Sequence, residues 1–130
     1  MQHYVDDLLY KGECYKIIGL CMKIHSVLGR GFKEIVYKDA MEVEFLRNQV
    51  IHEREKQFRI IYDGIELKRK FNADFIVYDK IILEIKAQSI MPTDAFRQTL
   101  NYLKASEIEL GIMINFGENR LNFQRVVCSR

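Results

Sequence analysis

The chain predicts an α/β (α+β) fold, a mixed sheet flanked by helices in the order ααββββαββ. Two N-terminal stretches repeat apolar residues at helical spacing. Several short apolar runs of strand length follow, separated by turn-forming pairs such as Asp63-Gly64. Two of those runs are apolar on both faces, which requires cover on both sides of the sheet and so a layered α-β-α arrangement.

The first ten residues form an ambiguous lead-in. From about 13 to 28, Cys14, Ile17, Ile18, Cys21, Ile24 and Leu28 define one helix. Gly29-Arg30-Gly31 ends it, because glycine tolerates the left-handed conformation of a C-terminal cap. A second helix follows over 32 to 48. Phe32, Val36, Ala40 and Val43 make one apolar side, and Met41 and Phe45 another nearly opposite, so this helix is expected to be packed on both sides. Strand alternation begins near Gln49 and continues through Phe58, Ile60 and Tyr62 to the hairpin turn at Asp63-Gly64. A partner strand is expected over 65–70, then two more at 75–78 and 81–85. Pro92 suits the first turn of a helix whose buried face is Ala95, Phe96, Thr99, Leu100 and Leu103. Leu110 to Phe116 is a continuous apolar strand, Gly117-Glu118-Asn119 a turn, and 121–127 the last strand.

Size and composition narrow the classes. A chain of 130 residues with 48% apolar and 29% charged residues fits one globular domain, 1–130, rather than a disordered segment. A net charge of +2 gives no bulk signal for a polyanion partner, so any nucleic-acid site must be a local patch. Lys68-Arg69-Lys70 is the dense basic run, and its plain reading is a solvated strand end. Cys14, Cys21 and Cys128 are odd in number and lack CxxC spacing, which favours buried structural thiols and a reducing, cytoplasmic setting. No apolar run approaches the length of a membrane span. His25, alone among Ile24 and Leu28, reads as a core or boundary histidine rather than a ligand.

The chemistry concentrates in 72–87. Asp74 interrupts one apolar strand, and Glu84 and Lys86 interrupt the next on a single face. Their register depends on the turn between them. A two-residue turn at Asp79-Lys80 pairs Phe75, not Asp74, with Glu84. A three-residue turn over Tyr78, Asp79 and Lys80 pairs Val77 with Ile81 and sets Asp74 opposite Glu84, and a single bulge brings Asp74 to the same face as well. With that register, two carboxylates can hold Mg²⁺ or Mn²⁺, and Lys86 can orient an attacking water or offset charge on phosphorus. The plain alternative is a half-buried ion pair between Lys86 and one of the acids.

Gly31, Glu34 and Tyr37 spell GxxExxY and resemble the signature of a family of small bacterial and archaeal proteins named for it. The resemblance extends over Val27-Leu28-Gly29, Ala73-Asp74, Glu84-Ile85-Lys86-Ala87, Tyr102-Leu103-Lys104 and the Leu110 to Phe116 strand. That family is similar to the PD-(D/E)xK nuclease superfamily. The resemblance implies a restriction-endonuclease-like core and a metal-dependent phosphodiesterase site, with Asp74 and Glu84 as metal ligands and Lys86 as the catalytic lysine. Glu34 resembles the acid that the first core helix adds to such a site, although a first-turn glutamate favoured by the helix dipole reads as well. Gln98 and Tyr102, four apart on one helix face, resemble a Gln-x-x-x-Tyr element that touches substrate, and a helix with a polar edge explains them equally. Two departures stand out. Ala73 replaces the superfamily's proline, and Arg30 replaces a proline between the glycines, where it is either a phosphate contact or a loop charge.

The functional expectation is a Mg²⁺- or Mn²⁺-dependent nuclease-like hydrolase acting on DNA or RNA, with no membrane partner. The alternative is a non-catalytic module that binds nucleic acid or protein and keeps the nuclease fold. Metal-assisted hydrolysis of another substrate is a third reading. The weak net charge leaves room for a homodimer or partner protein to complete the binding surface.

Overall fold

The computed structural model describes residues 9–129, so most of the expected lead-in lies outside the described residues. Three helices and five strands follow in the order ααβββαββ: α1 (Lys11–Leu28), α2 (Glu34–Arg47), β1 (His52–Tyr62), β2 (Ile65–Val77), β3 (Ile81–Lys86), α3 (Ala95–Ser106), β4 (Leu110–Asn115) and β5 (Asn122–Val127). The mixed α+β class is as the sequence predicts, with one strand fewer. The runs expected at 65–70 and 75–78 are one continuous strand, because Asn72 stays in the ladder and Asp74 is bracketed by the Phe75–Arg54 and Ala73–Lys56 pairs.

The sheet runs β1-β2-β3-β4-β5, antiparallel except for β3 against β4, whose parallel connection is the crossover through α3. On one face, α1 and α2 bury Ile17, Cys21, Met41 and Phe45 against Phe75, Val77, Leu83, Ile85, Ile112 and Ile114. On the other, Ala95 and Leu103 of α3 meet Ala73, Ile82, Met113 and Val126. Burying such aliphatic and aromatic side chains contributes roughly 1.5–3 kcal/mol each, so the two layers fix the sheet between them. All six residues of β4 are buried, as expected for a strand covered on both sides.

The ends of the helices follow from local chemistry. Gly29, at φ 68°, turns the chain after α1 and donates its N–H to His25 O at 2.8 Å. Gly31 has φ 112°, a conformation that side chains avoid, so the motif glycine is required by the backbone. Helix α2 is buried on one side and only partly covered on the other, where Ala40 packs against the core and Val36 is half-buried. Tyr37, Met41 and Phe45 are buried, whereas Phe32 and Val43 of the second apolar side remain about half exposed beside α1. The double packing expected of this helix is therefore corrected: its second side lies along a shallow groove rather than under a third layer. Pro92 is likewise not in the first turn of α3. It sits three residues upstream, where its carbonyl accepts the Ala95 N–H at 3.2 Å. Phe96, expected on the buried face, is exposed.

One irregularity positions the site. Along β2, Phe75 packs with α1 and α2 while Ala73, two residues earlier, packs with α3. Regular alternation would put both on one face. Strand β1 makes the same change: Arg54 bonds Asp39 and Glu42 of α2, whereas Phe58 packs with the α3 layer. Between them Glu55 takes φ 55°, a left-handed value unusual for a non-glycine within a strand. Glu55 and Asp74 thus mark a twist at which the hairpin hands its packing from one side of the sheet to the other.

Candidate active site

The connection between β2 and β3 is the three-residue turn. Val77 pairs with Ile81 and Phe75 with Leu83, and Lys80 N donates to Val77 O at 3.1 Å. Tyr78 and Asp79 both adopt left-handed φ values to close it. The next rung inward would align Asp74 with Glu84, and there the side chains take over the hydrogen bonding. Asp74 N donates to Glu84 Oε2 at 3.1 Å, and Ile85 N donates to Asp74 Oδ2 at 2.7 Å. The strands part at this point, so the two carboxylates satisfy backbone donors that the ladder leaves open.

Confinement raises the proton affinity of two acids here, Glu84 and Glu34. Glu84 is buried, and that burial, with the Asp74 charge beside it, pushes its pKa up to about 8. Glu34 on α2 is also raised, by burial and by Asp74, with Lys86 and Lys38 working in the other direction. A cluster of acids that resist ionising together favours an added cation.

Lys86 does not form the ion pair that was its plain alternative. Its ammonium makes no hydrogen bond or ion pair among the described residues, although it is close enough to lower the proton affinity of Glu34 and Glu84. A different lysine does: Lys38 Nζ donates to Asp74 Oδ1 at 3.0 Å and also pairs with the Glu55 carboxylate. Its side chain is only 9% exposed, and the two acids hold its pKa up against the burial that would lower it. Lys38 had a signal in the sequence. It lies four residues after Glu34 and three before Met41, on the same stripe of α2.

Two devices hold the surroundings. The Tyr37 hydroxyl donates to Gly29 O at 2.6 Å and accepts the Phe32 N–H at 3.3 Å, while its ring stacks on Phe116 at 4.6 Å. The tyrosine of GxxExxY is therefore a staple that fixes the α1–α2 loop and with it the start of α2, where Glu34 sits. Asn115, fully buried at the end of β4, accepts the Gln88 N–H and donates to Gln88 O. It also bonds Gly117 N and Glu118, so the chain beyond Lys86 is clamped in place. A Cβ at Gly117 would overlap the Gln88 backbone, which makes glycine necessary there.

The remaining residues singled out by the sequence fall around this centre. Tyr102 stacks on Phe71 at 4.1 Å, and burial together with Glu84 and Asp74 raises its hydroxyl pKa. Gln98 is exposed one turn earlier on α3. Arg30 lines a polar cleft with Ser89, Arg120 and Asn122 beyond the Lys86 end of β3. His25 donates from Nε2 to Glu118 O at 2.9 Å, as a boundary histidine should. The three cysteines are buried, and none is in a disulfide.

Oxygen donors of two adjacent carboxylates suit a hard divalent cation. Glu84 Oε1 has no hydrogen-bond partner among the described residues and is not sealed in. Among the described residues no group of three or more His, Cys, Asp or Glu side chains could hold a metal ion. The arrangement thus assembles the Asp74–Glu84 pair, with Glu34 outside any three-acid cage. No helix among the described residues is long and apolar enough to cross a membrane.

A family model for the PD-(D/E)XK nuclease superfamily matches residues 11–126. Among solved structures, the crystal structure of SSO0001 superposes with a TM-score of 0.57 at 22% identity. The match covers 72% of this chain and 50% of that one, so this chain spans about half the length of that protein. At that identity the likeness is one of fold. No curated protein matches the chain.

Proposed function

Because the chain belongs to the PD-(D/E)XK nuclease superfamily, matched over residues 11–126, we propose that its Asp74, Glu84 and Lys86 hydrolyse phosphodiester bonds in nucleic acid with Mg²⁺ or Mn²⁺. The observation that carries the reading is the pairing of Asp74 with Glu84 beside a lysine that no acid has claimed. In this reading Asp74 and Glu84 hold the ion, Glu84 through its open Oε1, and Glu34 on α2 adds its charge to theirs without completing a three-acid cage. A divalent ion supplies Lewis acidity and a more acidic bound water. Lys86 aligns the attacking water and stabilises charge developing on the phosphoryl oxygens. Lys38 holds Asp74 Oδ1 and so fixes the direction of that carboxylate. Tyr102 and Gln98 on α3, and Arg30 across the cleft, are the substrate contacts. The likeness to the GxxExxY proteins and a single domain over 1–130 belong to the same proposal.

Cleavage of duplex and single-stranded DNA and RNA in Mg²⁺, Mn²⁺ and EDTA tests it. Wild type should cut in at least one metal, and Lys86→Met and Glu84→Ala should each lose at least a hundredfold in rate. A second reading, a binding module without catalysis, is favoured by the Lys38–Asp74 ion pair, which already occupies one carboxylate oxygen. Nucleic-acid binding that survives both substitutions, with no cleavage in any metal, would establish that reading instead.

A further inference from the structure

The β1–β2 hairpin runs out past the rest of the sheet. Residues 61–70 are all exposed, so no helix covers either face of its outer part. From Arg59 to Lys70 the arm carries Arg59, Lys68, Arg69 and Lys70 against Asp63 and Glu66. That excess of two positive charges equals the net charge of the whole chain, so the remainder is balanced. Glu66 is engaged by Arg59 at 3.3 Å, whereas Lys68, Arg69 and Lys70 have no ion pair among the described residues. At the tip Tyr62 and Ile65 are 68% and 65% exposed around a two-residue turn. A solvated strand end does not call for bulky apolar side chains at its exposed tip.

The arm is also continuous with the candidate site. Arg59 lies across from Lys70, and two rungs inward Gln57 lies across from Asn72. All four are exposed, and the next positions inward on the two strands are Glu55 and Asp74. With a rise of about 3.3 Å per residue, Lys70 is about 13 Å along the strand from Asp74, and Arg69 and Lys68 follow where the pairing register shifts. A polar track turning basic therefore leads outward from the two carboxylates.

We propose that this arm enters the major groove of duplex DNA, with Lys68, Arg69 and Lys70 on the phosphates, and presents the gripped strand to Asp74 and Glu84. A two-stranded ribbon, with strands about 4.8 Å apart, fits a B-form major groove about 12 Å wide. The deep, narrow major groove of an RNA duplex does not admit it. Ile61, Tyr62 and Ile65 supply apolar contacts of the kind thymine methyl groups accept. The inference deepens the proposed phosphodiesterase reading by naming its substrate as duplex DNA, and its binding arm stands without catalysis.

The test measures duplex DNA binding by fluorescence anisotropy in EDTA, for wild type and for the combined variant Lys68→Gln, Arg69→Gln and Lys70→Gln. The variant should bind at least tenfold more weakly at moderate salt. Its dependence of log affinity on log salt should be shallower by about 2–3, since each lost phosphate contact removes about 0.9. Hydrolysis of bis(4-nitrophenyl) phosphate, too small to reach the arm, should stay within twofold of wild type. Tyr62→Ala should weaken duplex binding and leave the salt slope unchanged. Unaltered DNA affinity in the combined variant overturns the proposal, as does tighter binding to duplex RNA that falls equally. A change of oligomeric state without a change in DNA affinity also overturns it, making the arm a protein contact. Loss of DNA binding in the variant, with no hydrolysis of any substrate by wild type, upholds the arm and sinks the phosphodiesterase reading alone.

Discussion

Replacing Lys38 with methionine should expose how strongly the site depends on a cation. The substitution keeps the length and most of the volume of the side chain but strands the Asp74 and Glu55 carboxylates. At 3.0 Å the Lys38–Asp74 attraction is about 5 kcal/mol for an effective dielectric near 20. Desolvation of the ammonium offsets part of this, and Asp74 and Glu55 keep water contact at 18% and 47% exposure. The net loss is therefore set below the roughly 3–5 kcal/mol seen when a fully buried pair is broken, at about 2–3 kcal/mol. Urea denaturation at pH 7 measures it. The same experiment on Asp74→Asn, alone and combined with Lys38→Met, apportions it. If stranded charge causes the loss, the double variant should be less destabilised than the sum by at least about 1 kcal/mol. The raised pKa of Lys38 adds a sign. Its contribution is complete below the unfolded lysine value near 10.4 and is lost as pH rises through the higher folded value, so the deficit should persist through neutral pH. A Lys38→Met protein within 0.5 kcal/mol of wild type, or strict additivity in the cycle, would refute this account of the site.

Further outcomes follow from the same contacts. Glu84, with a folded pKa of about 8 against 4.5, holds a proton that the unfolded chain releases, so stability should fall as pH rises between those values. Glu84→Gln should flatten that fall and gain up to about 4 kcal/mol at pH 8, with the gain vanishing toward pH 4.5; chemical denaturation across this range measures it. Tyr37→Phe keeps the stack on Phe116 but leaves Gly29 O and Phe32 N without the hydroxyl, at a cost of about 1–2 kcal/mol by thermal or urea melting. Asn115→Ala strands Gln88 N, Gln88 O and Gly117 N, and should cost about 2–4 kcal/mol. Amide exchange should then accelerate at Gln88 and Gly117 more than within β4.

The helices and the central strands could be read from periodicity because their buried stripes match a single spacing throughout. The register of Asp74 with Glu84 was also legible, but only as a condition on the Tyr78-Asp79-Lys80 turn, since alternation allows one turn length and forbids the other. What escaped was whatever breaks periodicity from within. The pattern around Asn72 and Asp74 looks like a gap between strands when it is a strand changing faces, and polar residues give the same signal in both cases. The left-handed turn of Glu55 has no sequence mark, because nothing in an alternating Glu-Arg-Glu-Lys run singles out one residue. Lys38 was hidden by its type: a lysine on a helix is ordinarily solvated, and its place on the Met41 stripe is informative only once the acids it meets are known. The two-sided packing of α2 failed for a related reason. Apolar residues on a second helix face show that burial is affordable there, not that a partner supplies it.

The change of faces at Glu55 and Asp74 also makes the carboxylates answer to both layers of the core. The inner rungs of the hairpin bury Phe75 and Val77 against α1 and α2. The outer rungs hold Ala73, Phe71 and Phe58, which are covered by α3 and the strands beyond it, with Phe58 and Phe71 also stacked on each other. Asp74 and Glu55 stand at the seam, so neither layer holds the site alone, and loosening either one should reach it.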